Sequence, residues 1–248
     1  MKTKLITMLL FALLALPYAI SAQDDMMIAV IAEDIQIMSD DKAYESYLAY
    51  PEEDGIYPAI VLIHSFNGME QGYRDMTDAF AAEGFVVLTV GWQTFERGPS
   101  DALIQQLLLD SIAFLTARDD VDPDKIGLTG FCAGGRYTML FMPQVDAFAA
   151  GVAWYGFPNN GDPVTASDVV DDLDSPMLII HGTQDRPSPI TEIYDYATVL
   201  GNAGADFELK VYANEPHGFM LNEGELRTDD IATDAFNEMV DYFNRKLG

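Results

Sequence analysis

Short apolar runs recur along this chain: AIVLIH at 59–64, FVVLTV at 85–90, AAGVAWY at 149–155 and MLIIH at 177–181. Each is too short for a helix and apolar at successive positions, so neither face of the segment is meant for water. That is the signature of strands buried on both faces of a sheet. Between the runs lie longer segments with apolar residues at helical spacing: Tyr73 to Glu83 up to Gly84, Asp101 to Arg118 with Ser100 as N-cap, Gly135 to Phe141, Thr191 to Leu200 up to Gly201, and Asp229 to Lys246. Further strands are read at Ile28 to Met38 and Ala43 to Tyr50 around the turn SDDK, at Lys125 to Thr129 and at Phe207 to Tyr212. Strands alternating with helices imply an α/β fold, a mostly parallel sheet with helices on both faces. No Pro/Gly/Ser-rich linker breaks the series, and 248 residues suit one domain of this kind.

The first residues read differently. Lys2 and Lys4 precede the apolar run Leu5 to Leu16, and small residues follow at Ala19, Ser21 and Ala22. This is the pattern of a secretory signal peptide over residues 1–22, leaving a domain over 23–248. The expected location is periplasmic or secreted, with no membrane attachment after cleavage. An uncleaved anchor is the alternative. Removing Lys2 and Lys4 takes the basic residues from 13 to 11 and the net charge from −27 to −29. Such a surface repels nucleic acid and anionic membranes, so neither is an expected partner.

Cys132 is the only cysteine, and an exported chain with one cysteine cannot close an internal disulfide. A lone cysteine in an arbitrary place is a small core residue. This one stands in GFCAGG, between the strand KIGLT and a helix. Gly130-x-Cys132-x-Gly134 in that setting is a nucleophile elbow: a tight strand-to-helix turn in which small flanking residues let the backbones approach. The helix N-terminus favours a thiolate, and the N–H of Ala133 is placed to meet a developing oxyanion.

An elbow needs an acid and a histidine, in that chain order. MLIIH runs into GTQD, which puts Asp185 in the loop after that strand, and FELKVY runs into ANEPHGF, which puts His217 after the last. Both stand at carboxyl ends of strands, where sites in open α/β sheets form. Asp171, Asp172 and Asp174 precede their strand and belong to the wrong edge. The expected triad is Cys132, His217 and Asp185.

At this point the chain resembles the dienelactone hydrolases, a family of the α/β-hydrolase superfamily. The resemblance rests on GFCAGG, HGTQD, EPHGF and the opening stretch EDIQIMSDDKAYESYLAYPEEDGIYPAIVLIH, and covers almost all of residues 23–248. It implies an α/β-hydrolase fold, a Cys-His-Asp triad on the same three residues and a second oxyanion donor at the N–H of Phe66, in HSFNG. It also implies hydrolysis of small esters or lactones through a thioester, with no metal or organic cofactor. Ser65 stands where the family usually has a Glu, and Leu221 where well-studied members have an arginine for the substrate carboxylate. Arg97, in GWQTFERG, is a candidate for a second carboxylate-binding arginine. Ser65, Trp92, Arg97, Arg136 and Trp154 are the candidate substrate contacts.

His64 and His181 end strands and are read as supports for their loops, Glu215 as a surface charge, and Phe95 and Phe157 as core or pocket residues. No H-E-x-x-H or comparable spacing suggests zinc. Two other functions stay open: ligand binding without turnover, and a thiol redox role, which would want a resolving cysteine.

Overall fold

The computed structural model describes residues 28–161 and 163–248. The expected signal peptide lies outside the described residues.

Eight strands form one sheet: β1 (Val30–Ser39), β2 (Lys42–Pro51), β3 (Tyr57–Ile63), β4 (Val86–Val90), β5 (Val121–Phe131), β6 (Ala150–Trp154), β7 (Met177–Gly182) and β8 (Phe207–Tyr212). Their order is β1-β2-β4-β3-β5-β6-β7-β8. The first hairpin is antiparallel, β2 is antiparallel to β4, and every pairing from β4 through β8 is parallel. Among the described residues five α-helices cover the sheet: α1 (Gln71–Ala81), α2 (Asp101–Thr116), α3 (Ala133–Phe141), α4 (Ile190–Ala203) and α5 (Asp230–Leu247). A two-stranded hairpin, β9 (Leu221–Asn222) with β10 (Glu225–Leu226), lies beyond the last sheet strand.

The alternation of β3 shows why both faces are apolar. Ala59, Val61 and Ile63 pack into one core with α2, α3 and α4, while Ile60 and Leu62 pack into the other with α1 and α5. β1, at the sheet edge, is mostly exposed and carries Glu33, Asp34 and Gln36, which suits an edge strand that must not pair with a neighbouring chain.

The helix caps follow from local chemistry. The Ser100 hydroxyl accepts from the Leu103 N–H at 3.3 Å, and the Asp229 carboxylate accepts from Ile231 and Ala232. One expected end is corrected. α4 does not stop at Gly201 but runs to Ala203, because the left-handed residue that ends it is Gly204, at φ +77°. The β9–β10 hairpin is also absent from the sequence reading: two residues per strand are too few for a period to show.

Candidate active site

β5 ends at Phe131, and α3 begins at Ala133, so Cys132 alone makes the turn between strand and helix. Its φ is +58° and ψ −110°, a left-handed-side conformation that a side chain rarely adopts and that local packing must hold. The neighbouring glycines permit that packing. A Cβ on Gly130 would meet the Gly134 carbonyl, one on Gly134 the Ile63 carbonyl, and one on Gly135 the Trp154 carbonyl. The Cys132 N–H is tied to the Trp154 carbonyl at 3.1 Å. The thiol is thus presented over the carboxyl edge of the sheet, partly exposed.

Asp185 follows β7 and is buried. One carboxylate oxygen, Oδ1, accepts from the Ser188 N–H at 2.8 Å; the other, Oδ2, lies 2.7 Å from Nδ1 of His217. His217 lies in the loop after β8, its ring between Tyr155, centroid 5.2 Å away, and Phe157, 5.4 Å away. Burial opposes an imidazolium here. Hydrogen bonds to the Asp185 carboxylate and the Cys132 sulphur, with the charges of both, outweigh it and raise the His217 pKa to about 9. With Nδ1 committed to Asp185, Nε2 is left for the sulphur. The three expected triad residues therefore come together, from three separate loops.

On the other side of Cys132, no hydrogen bond among the described residues uses the N–H of Phe66 or of Ala133. The loop carrying Phe66 is held from below. Nδ1 of His64 lies 2.8 Å from the Ser65 carbonyl, and the Trp92 indole N–H donates to the His64 carbonyl at 3.1 Å. Burial lowers the pKa of His64 to about 4, so it is a neutral strut. His181 plays a similar part beside Asp185. Its Nε2 lies 2.8 Å from the Ser188 carbonyl, and burial lowers its pKa too.

A pocket of about 370 Å³ opens at the thiol. Ser65, Phe66, Glu70, Tyr73, Tyr155, His217, Leu221 and Glu223 are among the residues that line it with Cys132. Ser65 is thus a pocket residue; its hydroxyl also accepts from the Asn67 N–H at 3.2 Å. Arg97 lies in a neighbouring hollow with Phe95 and Glu96, its guanidinium 4.8 Å from the centroid of the Phe66 ring.

Three expected substrate contacts are elsewhere. Trp92 is 2% exposed and stacks on His64 beneath the Phe66 loop. Trp154 is fully buried and stacked on Phe131, because its side chain points into the sheet core while only its carbonyl reaches the elbow. Arg136 is bound in bidentate fashion to Asp101, at 2.7 and 2.6 Å, tying α3 to the start of α2. Glu215 is not a surface charge either. It is 8% exposed and paired at 2.7 Å with Arg227, which also donates to the Phe219 carbonyl. That clamp closes the loop holding His217.

Sequence reading missed Tyr73, Tyr155, Glu70 and Glu223. Tyr155 had a signal, as the residue after an apolar strand; it sits at φ +35°. Glu70 and Glu223 had none, because the turn that brings them to the thiol is set by β9–β10 docking on α1.

Residues 91–247 match the model of the dienelactone hydrolase family. An Escherichia coli (strain K12) protein named "Putative carboxymethylenebutenolidase" is 28% identical over 242 residues, 89% of this chain and 89% of that protein. "Protein usf" of Aquifex pyrophilus is 28% identical over 221 residues, 81% and 93% of the two chains. Among solved structures, a crystal structure titled "Putative Dienelactone Hydrolase" from Klebsiella pneumoniae superposes with a TM-score of 0.80 at 24% identity, over 88% of this chain and 99% of that one. An α/β sheet of this order, with the Cys132, Asp185 and His217 loops at one edge and inside a family match over residues 91–247, has one assignment: the chain belongs to the dienelactone hydrolase family.

Proposed function

We propose that this protein hydrolyses small carboxylic esters or lactones with Cys132 as nucleophile, His217 as its acid and base, and Asp185 as the residue that orients His217. The observation that carries the reading is the 2.7 Å contact between Asp185 Oδ2 and His217 Nδ1, with His217 and Cys132 lining the same pocket.

The raised pKa of His217 gives an imidazolium beside the sulphur near neutral pH. The thiolate attacks the ester carbonyl carbon, and the carbonyl oxygen becomes an oxyanion that accepts from the N–H groups of Phe66 and Ala133. Collapse breaks the C–O bond, and the imidazolium gives its proton to the departing alkoxide. His217, now neutral, takes a proton from water. The hydroxide attacks the thioester, and the second collapse releases the carboxylic acid and restores the thiolate. In an amide adduct the thiolate is the better leaving group, so attack reverses; esters, lactones and thioesters fit better than peptides. Export to the periplasm or beyond is part of the same proposal, carried by residues 1–22. N-terminal sequencing of the protein from an expressing bacterium tests it, with a start near Gln23 expected.

The catalytic test is p-nitrophenyl acetate hydrolysis by the wild type beside Cys132→Ala and Cys132→Ser. Sustained turnover that the alanine form loses is the expected result. Release of no more than one equivalent by the wild type would overturn turnover for simple esters and favour a binding protein.

A further inference from the structure

The pocket at Cys132 has an unusual charge balance. Two carboxylates line it, Glu70 before α1 and Glu223 in the β9–β10 turn, and no lysine or arginine does. Glu223 is held at φ +51°, and the carboxylate oxygen of Glu70 comes within 3.3 Å of the space a Cβ on Gly224 would fill. The turn is pinned to α1 by the Gly72 N–H, which donates to the Gly224 carbonyl at 2.8 Å. The backbone that carries both carboxylates is therefore fixed by packing, not by a free loop. The cations near them are committed elsewhere. Arg74 pairs with Asp34 at 2.6 Å, and Arg227 with Glu215 and Asp229. Arg97 sits over Phe66 in the adjoining hollow, which it shares with Glu96.

A second observation points into the same space. Tyr73 and Tyr155 line the pocket with Phe66, so aromatic rings stand beside the two carboxylates. Aromatic faces beside carboxylates attract a quaternary or primary ammonium group and repel a carboxylate.

We infer that Glu70 and Glu223 set the charge preference of this site: it takes esters that are neutral or carry a positive charge near the scissile bond, and it discriminates against esters bearing a carboxylate. This rests on the hydrolase reading for its substrate, but the electrostatic bias holds for any reagent that reaches the thiol. The bias also acts on the product. Hydrolysis leaves a carboxylate in a pocket that already holds two, which promotes its release.

Because Cys132 is the only cysteine, the bias is measurable without turnover. A methanethiosulfonate transfers its thioalkyl group to the thiolate, forming a disulfide and releasing methanesulfinate. The rate of labelling by the trimethylammonium-ethyl reagent, divided by the rate for the sulfonato-ethyl reagent at low salt, reads the local potential. Glu70→Gln with Glu223→Gln should lower that ratio about tenfold. Glu52→Gln with Glu53→Gln, an equal charge change at the opposite edge of the sheet, should leave it nearly unchanged. Glu223→Gln alone, at an exposed turn, should lower it about threefold and serves if the double variant does not fold. A ratio unmoved by these variants, or moved as much by the remote pair, overturns the proposal. In parallel, p-nitrophenyl esters whose acyl chains end in trimethylammonium, tert-butyl or carboxylate should rank in that order by kcat/KM, and the range should narrow in the Glu70→Gln, Glu223→Gln form. Preference for the carboxylate ester overturns the proposal. Failure of all three esters would sink the hydrolase reading, while the labelling ratio still decides the charge bias.

Discussion

Three non-glycine residues of this pocket, Cys132, Tyr155 and Glu223, have positive φ. Cys132 is held at φ +58° between strand and helix, and the conformation is stable because the backbone around it leaves no room to relax. In the mechanism proposed above, His217 is the partner of the thiol and Asp185 orients it. Asp185→Asn keeps the shape but removes the charge and one of the hydrogen bonds that hold His217 at about 9. The His217 midpoint should move down toward 6.5, as followed by imidazole NMR, and kcat should fall by about 10²–10⁴. An unchanged midpoint would exclude Asp185 as the orienting acid. The same shift bears on stability. The folded state binds the His217 proton more tightly than the unfolded chain, so the contribution is complete below pH 6.5 and is lost as pH rises through about 9. Tm should decline across that window, and His217→Gln should flatten the decline in a calorimetric pH series.

At the scale of elements, the site depends on how closely β5, α3 and β6 approach. Gly134→Ala would drive a methyl into the Ile63 carbonyl, where backbone cannot yield cheaply. A loss of about 2–4 kcal/mol in chemical denaturation is expected, with folded protein losing activity as the elbow shifts. The loop after β8 depends instead on a charge clamp. Glu215→Ala leaves the Arg227 guanidinium short of a partner in a half-buried place, and should cost about 1–3 kcal/mol. Its signature is faster amide exchange over residues 215–226 than over α5.

The molecule as a whole carries a charge of −27, and several of its ion pairs, such as Lys246 with Asp206 and Arg245 with Glu208, are exposed and contribute little. Self-repulsion then works against the compact state. Raising sodium chloride from 10 mM to 0.5 M should increase Tm by about 3–8 °C, since screening at that strength acts within about 4–5 Å. A Tm that falls with salt would mean that ion pairs outweigh the net repulsion.

The chain's own order of residues determined the layered α/β architecture, the elbow at Cys132 and the two loops that bring Asp185 and His217 to it. These are local: a strand shows in a few consecutive apolar residues, as in AIVLIH, and the parallel sheet then puts every carboxyl end along one edge. Which aromatic residues face the substrate was not local. Trp92 and Trp154 follow strands just as Tyr155 and Phe157 do, and only the packed sheet decides that the first two turn into the core while Tyr155 meets the pocket and Phe157 the His217 ring. The fate of charges was decided the same way. Glu215 reads as a surface charge and Arg136 as a structural residue or a substrate contact until tertiary structure supplies Arg227 and Asp101 as their partners from other segments. Glu70 and Glu223, 153 residues apart, are brought to one pocket by a hairpin too short to announce itself. Periodicity records which residues are buried along one element; pairing between elements depends on their relative placement, and that exists only once the core has closed.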